Sequence, residues 1–242
     1  MLLDQTEARR PERVAVQVRS PVVAHLLRTI LAEWHFCVEP GPAGQTVALA
    51  EAGLPAPEGV RHTLWISPAA AGATAQLTLP LSLTSLYQAL QGWFFPSPRR
   101  YLRLSLDRPA QLELRGAGFS ARLVSISERG GRVAGPARLP MGETLQLTVN
   151  LDGYLLQAAA QVIYAIPAGD LPGGPPPQAG LLFKPLRAEL AQALHRHVER
   201  TLLSRAAMLV GLADADPAWR WFDTVADPWS GLPPWPPQAP DR

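Results

Sequence analysis

The sequence predicts an α/β domain followed by an all-β domain, the latter a small antiparallel barrel with a C-terminal helix. Three observations predict it. Residues 14–95 alternate short apolar runs with helical spacing, the pattern of a β-α-β start on a buried parallel sheet. From Tyr101 the apolar period becomes two, as in half-buried antiparallel strands. Between these regimes Pro96-Ser97-Pro98 breaks the chain, because proline cannot continue a helix and keeps the residue before it extended. A length of 242 residues accommodates both domains.

In the first domain Val14-Ala15-Val16-Gln17-Val18 reads as a strand. Ser20-Pro21 then offers an N-cap with proline in the first helical turn. Val22, Val23, Leu26, Leu27, Ile30, Leu31 and Trp34 follow at helical spacing. Phe36–Val38, Val47–Ala50, Thr63–Ile66 and Leu77–Leu79 are the further expected strands, and Leu83, Leu86, Tyr87, Leu90, Trp93 and Phe94 trace a closing helix.

In the second domain Leu102, Leu104 and Leu106 alternate with Arg103, Ser105 and Asp107. The pattern continues through Leu112, Leu114, Phe119, Ala121 and Leu123. Leu145 to Leu151 runs into Asp152-Gly153, a hairpin signal, and the return strand puts Leu156, Ala158, Ala160, Val162 and Tyr164 on one face. Gly169 to Pro177 is a glycine- and proline-rich loop. A last strand at Ala179–Phe183 precedes a helix over about 187–210, with Gly211 as its C-cap. Trp219, Trp221, Phe222, Trp229 and Trp235 mark a Pro/Trp-rich tail with two readings. Trp219, Trp221 and Phe222 fold back onto the first domain, or the tail is a peptide that another protein binds.

Composition excludes several classes. A net charge of +2 is too small to point to nucleic acid. Lys184 is the only lysine, an arginine bias that a GC-rich genome explains, although arginine is also the better phosphate fork and base stacker. The single cysteine, Cys37, gives no disulfide framework or thiolate metal site, and the histidines lack metal-ligand spacing. No metal and no cofactor are expected. No apolar run approaches the ~18 residues that span a bilayer. Met-Leu-Leu-Asp is not the start of a signal peptide, so a cytoplasmic protein without membrane insertion is expected. No nucleophile–base pair or paired acids stand at useful spacing, so no catalytic residue and no enzyme activity are expected.

The residues that carry chemistry gather where the second domain begins. Arg99, Arg100 and Arg103 stand just after the Pro-Ser-Pro break, and Ser125, Ser127 and Gly130 follow. Arginine matches phosphate oxygens with its fork and stacks on bases with its flat face. Arg99–Arg103 and Ser125–Gly130 resemble the two signatures of the PilZ domain, RxxxR and [D/N]xSxxG. Ala179-Gly180-Leu181-Leu182-Phe183 resembles its closing Gly-x-x-Phe, and the resemblance covers about residues 97–205.

The resemblance implies a bacterial receptor module for cyclic di-GMP. Its arginine arm is flexible and closes over the nucleotide, Ser125 and Ser127 contact guanine, and Gly130 lets the backbone turn close to the ligand. Ser125 stands where the family has Asp or Asn, whose oxygen accepts the guanine N1 and N2 protons. A single hydroxyl cannot make that paired contact, which costs about 1–3 kcal/mol. Arg129 and Arg132 stand nearby.

Residues 14–95 resemble a shortened phosphorelay receiver, best at Leu79-Pro80-Leu81-Ser82-Leu83, where a receiver has a Lys-Pro junction. Leu79 replaces the lysine, and no aspartate stands near Glu51 at the end of the third strand, so phosphorylation is not expected. The expected division is a tail at 1–13, a receiver-like domain at 14–95, a hinge at 96–98, the PilZ barrel and helix at 99–210, and a tail at 211–242. The expected function is a receptor whose interdomain arrangement changes on binding cyclic di-GMP and which signals to a protein partner in motility, attachment or polysaccharide output. The alternative is a PilZ adaptor that acts through protein contacts without ligand.

Overall fold

A computed structural model of the chain describes residues 13–38, 47–55, 58–60, 62–68, 76–135, 139–168, 176–224 and 227–232. The chain divides into two compact units, Met1–Arg100 with Leu202–Thr224, and Tyr101–Thr201 with Val225–Arg242.

The first unit holds a parallel sheet in the order β1 (Val14–Gln17), β2 (Val47–Glu51), β3 (His62–Ser67) and β4 (Gln76–Thr78). β2 is buried along nearly its whole length, as expected of a parallel strand covered on both faces. The strand expected at Phe36–Val38 is reduced to one parallel bridge, Arg13 to Cys37, with Val14 N donating to Cys37 O at 3.0 Å. Helix α1 (Pro21–Glu33) starts where Ser20 Oγ accepts from Val23 N at 3.3 Å, with Pro21 in the first turn. It buries Val23, Leu26, Leu27, Ile30 and Leu31. Helix α2 (Leu83–Phe94), capped by Ser82, buries Leu83, Leu86, Tyr87, Leu90 and Gln91.

The tail that closes this unit takes the first of its two readings. A short 3-10 helix at Pro217–Trp221 ends beside Leu81, whose N donates to Trp221 O at 2.7 Å while Asp223 N donates back to Leu81 O at 3.1 Å. Phe222 is buried there. Trp235 and most of the Gly169–Pro177 loop lie outside the described residues.

The second unit is a closed antiparallel barrel of six strands in the order β10-β7-β6-β5-β8-β9. The ranges are β5 Leu104–Leu114, β6 Ala117–Ser127, β7 Gly130–Ala134, β8 Thr144–Leu151, β9 Tyr154–Ile166 and β10 Gln178–Phe183. Inside the barrel large residues face small ones, with Leu145 opposite Ala160 and Leu147 opposite Ala158. The Asp152-Gly153 turn has φ of 51° and 96°, the paired left-handed conformations of a type I′ hairpin. Helix α3 (Ala188–Leu209) follows the barrel. Gly211, at φ 69°, ends it, with Leu212 N donating to Ala207 O at 2.9 Å in the manner of a Schellman cap. Trp229 stacks on Tyr154 at 4.5 Å between ring centroids.

Candidate functional site

The site is created by a break in strand alternation. On β6, Phe119 and Ala121 pair with Leu112 and Ala110, and Leu123 is fully buried, so odd positions face inward. A bulge shifts the register between Leu123 and Ser125, and Ile126, 1% exposed, then pairs with Leu104 in the core. The extra residue inverts the phase of the strand. Ser125 and Ser127 therefore project from the barrel wall instead of filling it.

Across the outer wall, Ser125 pairs with Arg132 of β7, Arg132 with Gly180 of β10, and Gly180 with Tyr164 of β9. The next row runs from Ser127 to Gly130 to Leu182. The same wall carries an open groove. Arg103, Ser125, Ser127, Arg129, Gly130 and Tyr164 are among its lining residues. Four of the six residues expected to bind ligand thus share one groove: Arg103, Ser125, Ser127 and Gly130.

The second signature does different work at each of its positions. Ser127 is buried, and its hydroxyl donates to Gly130 O at 3.2 Å and accepts from Arg129 N at 3.4 Å, pinning the β6–β7 turn. Gly130 has a packing reason as well. A Cβ there would stand 2.1 Å from the Leu181 carbonyl oxygen, so the close approach of β10 demands glycine. Ser125 lines the groove at 8% exposure. Its cross-strand neighbour Arg132 has a buried Nε without a hydrogen-bond partner.

Arg99 and Arg100 belong to the first unit and are exposed. Their backbone is tied to α2: Arg99 N donates to Gln91 Oε1 at 3.1 Å, and Gln88 Nε2 donates to Arg100 O at 2.8 Å. The backbone of the first two residues of the arm is thus hydrogen-bonded to α2.

Three contacts beside the groove escaped sequence reasoning, which notes Arg129 only as standing near Ser125. The Arg129 guanidinium lies 5.8 Å from the centroid of the Tyr101 ring, within cation–π range. Glu128, in the pinned turn, has its Oε2 2.7 Å from His195 Nδ1 on α3. Tyr164, expected on the same face as Leu156 to Val162, instead lies on the outer wall, because the β9–β10 register shifts between Gly180 and Leu181. None had a sequence signal, since each pairing joins positions far apart in the chain or depends on the bulge. Among the described residues there is no cluster of three or more His, Cys, Asp or Glu that could hold a metal ion. No helix among them is long and apolar enough to cross a membrane.

A closed six-stranded barrel with a trailing helix and this groove defines a class. Residues 97–200 match the family model described as PilZ domain. Solved structures similar to it include the Bacillus subtilis inhibitor of motility MotI/DgrA, at 22% identity over 45% of this chain and 53% of that one, TM-score 0.39. The PilZ domain of YcgR from Escherichia coli, solved with c-di-GMP, is 20% identical over 48% of this chain and 100% of that one, TM-score 0.40. YcgR from the same organism in complex with c-di-GMP is 23% identical over 47% of this chain and 49% of that one, TM-score 0.39. The matched region spans about half the length of MotI and of that longer YcgR chain. No curated protein matches the chain.

Proposed function

We propose that this protein is a cyclic di-GMP receptor that acts as an adaptor toward a protein partner, without catalysis. The observation that carries the reading is the groove that brings Arg103, Ser125, Ser127, Arg129 and Gly130 onto one barrel wall. Arg103 and Arg129 supply forks for phosphate oxygens and flat faces for bases. Ser125 supplies a single polar contact at the groove floor, while Ser127 holds the turn that presents Arg129. Arg99 and Arg100 directly precede this groove in the chain and add charge when the nucleotide draws the arm in. That movement competes with the Gln88 and Gln91 bonds to the arm backbone. Because the Arg99–Arg103 segment joins the two units, its capture changes their arrangement and signals to the partner, in motility, attachment or polysaccharide output. A cytoplasmic location, where the nucleotide would be met, belongs to the same proposal, as does a first unit that is receiver-like without phosphorylation.

The test is calorimetric titration with cyclic di-GMP beside the Arg99→Ala/Arg103→Ala double variant. The reading expects wild-type binding and a loss of at least tenfold in the variant, since each charge-assisted hydrogen bond is worth about 1.5–3 kcal/mol. Binding that survives the double substitution removes the assigned site. The second reading, an adaptor without ligand, is favoured by Ser125 in the place of a carboxylate or amide. An absence of heat at near-millimolar nucleotide would establish it.

A further inference from the structure

The β9–β10 side of the groove is not accounted for by either signature. Tyr164 and Gly180 are cross-strand partners there. A Cβ at position 180 would lie 2.1 Å from Tyr164 Cε1, 2.4 Å from Cζ and 2.6 Å from Cδ1. The tyrosine ring therefore lies across the glycine, in space that any side chain at 180 would take. This is the packing in which an aromatic ring covers a strand glycine. It fixes where the ring sits and leaves its remaining surface to the groove that Arg103 and Arg129 also line.

A ring held in place costs little further conformational entropy when a flat group stacks on it. Base–aromatic stacking recurs wherever proteins hold nucleotides without reading every base edge. The groove thus combines guanidinium groups for anionic oxygens, a ring for a heterocycle, and only one short hydroxyl at Ser125 for edge recognition. We propose that Tyr164 is the stacking platform for one guanine of cyclic di-GMP, a ligand contact outside both signatures. The inference rests on the cyclic di-GMP reading above. It explains how a site without the usual carboxylate or amide keeps hold of a base: ring contact replaces part of the lost edge contact.

The experiment titrates cyclic di-GMP into wild type, Tyr164→Phe and Tyr164→Leu, with a thermal melt of each and an NMR search for contacts between the Tyr164 ring and guanine H8. Tyr164→Phe keeps the ring and should bind within about twofold of wild type. Tyr164→Leu still covers Gly180 but lacks a π-face, and should bind roughly tenfold to a hundredfold more weakly. The ring-to-H8 contact should appear in the wild-type complex, which decides the matter if Tyr164→Leu fails to fold. Wild-type binding with an unchanged Tyr164→Leu, or without that contact, overturns the stacking role alone. So does a folded Tyr164→Phe as weak as Tyr164→Leu. No binding by wild type overturns both this inference and the receptor reading.

Discussion

Substituting Ser125 by Asp or Asn should raise affinity for cyclic di-GMP, and the structure sets the size of the gain. Position 125 is 8% exposed, so a carboxylate placed there loses most of its water. Desolvation alone would oppose the change. Its cross-strand neighbour, however, is Arg132, whose buried Nε lacks a partner, and Arg103 and Arg129 line the same groove. A carboxylate has about four lone-pair sites, so one oxygen satisfies Arg132 while the other meets guanine N1 and N2. A paired contact to a base edge is worth about 1–3 kcal/mol, or roughly five- to 150-fold in affinity. Calorimetry on the three proteins measures it. Comparison of the two variants separates the causes, since Asn can read the base edge but cannot neutralise an arginine. If both variants fold and both bind within twofold of wild type, position 125 does not touch the base and the assignment of this groove fails.

Further predictions follow from the same contacts. Gly130→Ala should lower stability by about 1–3 kcal/mol in the absence of nucleotide, because its Cβ meets a backbone oxygen that cannot rotate away; an unchanged thermal melt would show that β10 does not approach so closely. Ser127→Ala should loosen the β6–β7 turn, and amide hydrogen exchange at Arg129 should speed up, since its N–H loses the Ser127 acceptor. Gln91→Ala removes the acceptor for Arg99 N, so exchange at Arg99 should accelerate while the barrel amides keep their protection. Asp107, hydrogen-bonded by Arg122, has its carboxyl held below the usual carboxylate range. The pair's contribution is complete above the unfolded carboxylate pKa and is lost as pH falls through the lower folded value. Acid melts of Asp107→Asn should therefore lose that pH dependence, by a small amount that added salt suppresses.

Much of the fold was legible because its determinants are local. Ser20-Pro21 announces a helix start by the hydrogen bond and fixed φ that it supplies, and Asp152-Gly153 announces a hairpin by tolerating left-handed backbone. The period-two runs identified the barrel because each strand there has one wet face. The strand at Phe36–Val38 was overread, since an apolar triplet says nothing of whether a neighbour lies in register, and only Cys37 forms a bridge. The fold-back of Trp221 and Phe222 was open for a related reason: an aromatic cluster announces burial but not against what. The candidate site was legible as a set of residues and illegible as a surface. Continuing the Leu112–Leu123 alternation past the bulge would send Ser125 into the core. One uncounted residue reverses that, and no residue type signals it.

The bulge also changes what the second signature means. Read as a string, Ser125 and Ser127 are equivalent ligand contacts. In the folded chain Ser127 spends its hydroxyl on the turn and Gly130 its missing side chain on the Leu181 carbonyl. A glycine and a serine at those positions are thus required by the barrel whether or not a nucleotide ever binds. Their presence is weak support for binding, and the substitution at 125 is correspondingly stronger evidence about it. The functional question then rests on residues that the barrel does not need for itself. Those are Arg103 and Arg129, exposed and lining the groove, Ser125 at its floor, and the face of Tyr164 turned away from Gly180. If the groove is a nucleotide site, substitutions at Arg103 and Arg129 should change affinity and leave stability almost unmoved, the reverse of the pattern at Ser127 and Gly130.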